Sequence, residues 1–174
     1  LQLFVQTFPR ATIPRSWRGE YYMSLGQFEK AAAEYEELVR LDGRSRIGYM
    51  NLMWAYTTLG RFDDVRRVAD TAHGLGLDMP DFHHILLDVA LIQGVDADAA
   101  REIKWFEGRS DEHLSLGSQA VRALVLGKRR DAAELLKRAA DVAERRGLRG
   151  LAERWRQASL ANPYGDCQDD TGDF

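Results

Sequence analysis

The chain has 174 residues, 45% of them apolar and 29% charged, which is too apolar for a disordered segment and ordinary for a soluble protein. No apolar run reaches the roughly 18 residues needed to span a bilayer, and a single cysteine, Cys167, excludes an internal disulfide and any cysteine metal cluster. The formal charge of −3 is unevenly placed: residues 163–174 carry four aspartates, so the body alone is about +1.

Only four prolines interrupt the chain and none lies between Pro80 and Pro163, which suits an almost all-helical fold. In chain order, helices are expected near 14–25 and 28–41, then 45–59 and 62–75, then 80–93 and 97–107, then 112–126 and 129–146. A last helix is expected near 148–161. Leu41-Asp42-Gly43 and Leu77-Asp78-Met79-Pro80 read as junctions between helix pairs. Asp111 stands where it could cap the helix that follows. Asp63 and Asp64 open another helix, where the helix dipole accounts for acids. The stretch 163–174 has no periodicity and reads as a disordered acidic tail.

The first helix of each pair runs up to a glycine. Gly26, Gly60, Gly94 and Gly127 recur at spacings of 34, 34 and 33 residues, and a period of that length marks stacked helix–turn–helix units. The surrounding text repeats as well. Tyr22-Met23-Ser24-Leu25-Gly26-Gln27-Phe28 answers to Tyr56-Thr57-Thr58-Leu59-Gly60-Arg61-Phe62, and aliphatic runs lead into Gly94 and Gly127. Five positions after the glycines stand Ala31, Val65, Ala99 and Ala132, small or aliphatic residues in the first turn of the next helix, where two backbones must approach closely. Tyr35, Ala69, Ile103 and Leu136 follow four residues later. Leu52, Tyr56 and Leu59 form one buried stripe, and Ala132, Leu135, Leu136 and Ala139 another.

These residues resemble the tetratricopeptide repeat family. Tyr49, Leu52, Tyr56, Leu59-Gly60, Phe62 and Ala72 fit its pattern in one unit, and Gly19, Tyr22, Leu25-Gly26, Phe28, Ala31 and Tyr35 fit it in the unit before. The next two units depart from it, with Asp96 and Arg129 in place of the turn aromatic. The resemblance implies an all-α fold, a right-handed superhelical array of antiparallel helix pairs. It divides the chain into the end of a preceding repeat (1–10), repeats at 11–44 and 45–78, degenerate repeats at 79–111 and 112–147, a capping helix at 148–162 and the acidic tail at 163–174. Pro9 falls where a preceding repeat's closing proline would fall, so the chain is expected to begin inside a repeat and to be a piece of a longer protein. More loosely, the text also looks like the repeat regions of large bacterial signalling proteins that follow a kinase or winged-helix domain. No signal peptide is visible, an absence that such a starting point makes uninformative, and the cytoplasm is the default expectation.

In arrays of this family the first helix of each repeat lines a concave groove, and positions opposite the packing stripe face it. The resemblance therefore points to Ser16, Glu20, Met23 and Ser24, to Ile47, Met50, Asn51, Trp54 and Thr58, to Asp81, His84, Asp88 and Ile92, and to Gly117, Val121, Leu124 and Val125. The candidate binding residues are Glu20, Met23, Ile47, Met50, Asn51, Trp54, His84 and Asp88. Trp54 lies off the Leu52/Tyr56 stripe, so repeat packing does not require it, and with Met50 and Ile47 it could anchor an extended or helical peptide. The other reading of Trp54 packs it on the neighbouring first helix, at Glu20 or Asp88. Asn51 matches one polar position of arrays that clamp a peptide carboxylate, but Ser16, Glu20 and Asp81 stand where that clamp's basic residues are expected.

Other chemistry finds little support. Residues 128–156 hold ten Lys/Arg against five Asp/Glu, which suits an acidic partner, a nucleic acid or the chain's own tail. Interleaved acids and the sparse aromatics around Trp155 favour a solvated face instead. His83 and His84 are adjacent and diverge on a helix; His84 and Asp88 could share an ion, yet zinc needs three or four converging ligands. No phosphate loop, nucleophile elbow or kinase signature appears. The expectation is a non-catalytic scaffold without metal or cofactor that binds a protein or peptide rather than nucleic acid. The second reading is a cis-acting regulatory segment with an intramolecular partner domain.

Overall fold

Nine helices form among residues 11–160, the part of the chain that the computed structural model describes. They are α1 (Thr12–Ser24), α2 (Phe28–Leu41), α3 (Arg46–Thr58), α4 (Phe62–Gly74), α5 (Pro80–Gln93), α6 (Asp96–Phe106), α7 (Glu112–Val125), α8 (Arg129–Arg145) and α9 (Arg149–Leu160). Each lies within two residues of its expected bounds. The expected end of a preceding repeat and the acidic tail fall outside the described residues. No helix among the described residues is long and apolar enough to cross a membrane.

The glycine period has a local cause. After α1 the chain turns left-handed at Gly26 (φ 69°), and Gln27 N–H donates to Tyr22 O at 2.9 Å while Gly26 N–H donates to Met23 O at 3.1 Å. This pair of bonds satisfies carbonyls that a helix end leaves open, and only glycine enters that conformation without steric cost. Gly60, Gly94 and Gly127 share the conformation. So do Gly76, Gly108 and Gly147, which close α4, α6 and α8 and stand outside the 34-residue spacing.

The chain divides into two compact units, Leu1–Val89 and Ala90–Phe174, with the division inside α5. In the first unit α1 packs on α2, α2 on α3 and α3 on α4. One core runs through them, from Ala31, Ala32 and Tyr35 through Tyr49, Leu52, Met53 and Tyr56 to Val65 and Ala72, closing on Leu77, Phe82, Ile85 and Val89. Burying a large apolar side chain of this kind is worth roughly 1.5–3 kcal/mol. Ala31 and Val65, five residues after their glycines, are completely buried. Gly19 is buried in mid-helix, and the position favours glycine because a Cβ there would lie 2.6 Å from Tyr35 Cζ. Arg15 and Arg18 of α1 both reach Glu34 of α2, Arg18 Nη2 at 2.5 Å from Glu34 Oε1. Ser45 caps α3, its hydroxyl accepting from Gly48 N–H at 3.1 Å.

In the second unit α6 packs on α7, α7 on α8 and α8 on α9. Leu116, Ala139 and Val142 form one buried cluster with Leu135 and Trp155 against it. Ala140, Ala143 and Ala152 form another, where small side chains bring α9 close onto α8. Asp111 does not cap α7 as expected. It sits at the N-cap position without a side-chain bond to the helix, and its carboxylate instead meets the guanidinium of Arg146 and the hydroxyl of Ser110. A charged donor outcompetes a backbone amide for a carboxylate. Glu112 turns back and accepts from Gly108 N–H at 3.2 Å.

Candidate functional site

All eight candidate residues lie in the first unit, on α1, α3 and α5. The helical period sorts the side chains of α3. Leu52, Met53, Ala55 and Tyr56 go into the core, whereas Trp54 keeps 38% of its surface exposed and Ile47 keeps 59%. Trp54 meets α5 edge-on: its ring lies 6.3 Å from the His84 ring at an interplanar angle of 79°, an arrangement in which a ring edge faces a π-cloud. His84 Nε2 stands 3.7 Å from Asp88 Oδ2, one helical turn on. Trp54, His84 and Asp88 therefore form one connected group, and the indole both packs on the neighbouring first helix and remains open to solvent.

The other candidates are placed less uniformly. Met23 and Met50 are partly buried against the first unit's core, so each serves packing and offers only part of its surface. Asn51 is half-buried. Glu20 is exposed and accepts from Ser16 Oγ at 3.4 Å. Burial first, and the Glu20 charge second, push the Tyr35 hydroxyl up to about 12. Thr58 and Ser24 bond back to carbonyls of their own helices, at Trp54 O (3.0 Å) and Tyr21 O (2.7 Å).

A further exposed apolar residue lies on α1. Ile13 on α1 is 61% exposed and stands 34 residues before Ile47. Extending the repeat register one unit back from Ile47 finds it. Trp17 and Tyr21 on the same helix are also more than half exposed, and the packing stripe gives no signal for either.

The basic stretch of the second unit carries its own acids. Arg138 lies 3.8 Å from Glu112, Arg156 reaches Asp141 and Glu144, and Arg146 reaches Asp111. A cleft of about 380 Å³ is lined by Arg109, Arg145 and Arg146 together with Glu112, and Arg109 is turned onto the Trp105 ring, 4.1 Å from its centroid. Opposite charges interleave there as a solvated face requires. His83 pairs with Asp78 at 3.0 Å, and His113 is buried with its ring 5.7 Å from that of Trp155. Among the described residues no three His, Cys, Asp or Glu side chains gather to hold a metal ion.

No family model matches the chain, and no curated protein is significantly similar to it. Among solved structures it is similar to YrrB, described as a TPR protein with an unusual peptide-binding site. The identity is 14% and the TM-score 0.52, over 92% of this chain and 90% of that one. At that identity the likeness carries the fold: this all-α chain has the tetratricopeptide-repeat architecture.

Proposed function

We propose that the chain is a non-catalytic interaction scaffold that holds a peptide, or an extended segment of a partner protein, on the face carried by α1, α3 and α5. The half-exposed Trp54 carries this reading. Core packing on α3 is satisfied by Leu52, Met53 and Tyr56, and a large indole left at the surface beside Ile47 and Met50 is the residue type that dominates binding energy at interfaces. The peptide-binding site of YrrB supports the same use of the fold. In this reading α1–α2, α3–α4, α5–α6 and α7–α8 are four repeats and α9 is the cap. The occupant is a separate chain or another domain of the same protein.

The test is a selection of random displayed peptides on the immobilised chain, with the Trp54→Ala variant used for counter-selection. Peptides that bind the native chain and not the variant, at unchanged melting temperature, are the expected result. A set of binders indifferent to Trp54 would refute the placement of the site.

A further inference from the structure

The 34-residue register arranges the face as three rows: Ile13, Ile47 and Asp81; Ser16, Met50 and His84; Glu20, Trp54 and Asp88. Corresponding positions of successive repeats recur along a solenoid, so each row runs across the stacked first helices. The rows contain no lysine or arginine and three carboxylates. Arg15 and Arg18 of α1 are directed at Glu34 of α2, and the exposed Arg46 at the first residue of α3 offsets one of the three carboxylates at the Ile47 end of the face, which leaves the face net acidic. The third row is the most informative. It places an exposed carboxylate at Glu20, a half-exposed indole at Trp54 and a second carboxylate at Asp88.

From this charge pattern we infer that the face selects a cationic peptide, with an apolar or aromatic side chain against Trp54 and Lys or Arg on both sides of it. The inference rests on the peptide-binding function proposed above and gives that site its ligand chemistry. The cationic residues therefore fall on either side of the apolar anchor, one towards Glu20 and one towards Asp88. Met50 and Ile47 flank the indole and widen the apolar contact, and His84 braces it edge-on from α5. Carboxylates at such a rim set specificity and association rate more than raw affinity. An Arg→Ala change at one flank is expected to weaken binding about 2–5-fold, and salt is expected to weaken it further.

The composition of the peptides selected on the native chain tests this, alongside a parallel selection on Glu20→Lys. Glu20 is exposed, so its charge reversal should leave the melting temperature in place; Asp88→Asn is the second variant. The expected result is enrichment of Lys and Arg on both sides of a central apolar residue, with the enrichment on one side lost or reversed to Asp and Glu on Glu20→Lys. Peptides that depend on Trp54 but show no basic enrichment, or the same enrichment on both variants, would overturn this inference and leave the peptide-binding reading standing. A selection that yields no Trp54-dependent peptide would overturn both.

Discussion

Replacing Gly19 by alanine sets two physical effects against each other with opposite signs. Gly19 lies in the interior of α1, where alanine is favoured over glycine by about 1 kcal/mol in an isolated helix. The packing predicts the reverse. An added Cβ would lie 2.6 Å from Tyr35 Cζ and 2.9 Å from Tyr35 Cδ1, and Tyr35 is among the most fully buried side chains in the protein. A phenol ring held on all sides cannot turn away as an aliphatic chain end can. Overpacking of this kind costs about 1–3 kcal/mol, so after the helix gain a net loss of up to about 2 kcal/mol remains. The same substitution at Gly48 meets Leu38 Cδ2, itself buried, and comes within 3.2 Å of the Ser45 hydroxyl that caps α3, so a loss of stability is expected there as well. Urea unfolding followed by circular dichroism measures both, and a Gly19→Ala/Tyr35→Leu double variant should recover part of the loss through their coupling. A Gly19→Ala protein stabilised by the full helix-propensity increment would refute the described packing of α1 on α2.

Three further outcomes follow from the same packing. Leu52→Ala empties a site only 4% exposed in the first unit's core and should cost roughly 2–5 kcal/mol by urea unfolding; an unchanged midpoint would place the core stripe elsewhere. Trp54→Ala should stay within about 1 kcal/mol of the native stability, and a large loss in the same assay would make Trp54 a core residue. Tyr56 is pushed up to about 12 by burial first and then by its hydrogen bond to Glu36, so the folded chain holds that proton where the unfolded chain releases it. This contribution to stability is whole below pH 10 and is lost as pH rises towards 12. Native protein should therefore lose stability more steeply over that window than Tyr56→Phe, and parallel slopes would refute the assignment.

Most of the fold was legible because the turns are chemically specific. A left-handed residue after a helix calls for glycine, and four such turns one repeat apart expose the period directly. Gly76, Gly108 and Gly147 do the same local work but lie at unequal distances from that series, so the spacing concealed them. Ala31 and Val65 were readable as close-approach positions because a buried helix contact restricts side-chain size. Asp111 was misread because the N-cap preference is local, whereas the Arg146 guanidinium that takes its carboxylate comes from the residue just after α8, 35 residues on. The face was only partly legible. Periodicity separates Trp54 from the Leu52 stripe, but whether an indole off the stripe is covered depends on what the next first helix presents, here His84. Met23 and Met50 are flexible side chains that fill gaps, and their partial burial follows from three-dimensional packing alone.

The central claim is that a peptide binds along the face of α1, α3 and α5. Its most direct test is an NMR titration of the labelled chain with one selected peptide, reading backbone amide shifts and the indole N–H of Trp54. The account predicts saturable shifts centred on Ile47, Met50, Trp54 and His84, extending to Glu20 and Asp88. Shifts confined to other helices, with the Trp54 indole unmoved at saturation, would contradict it.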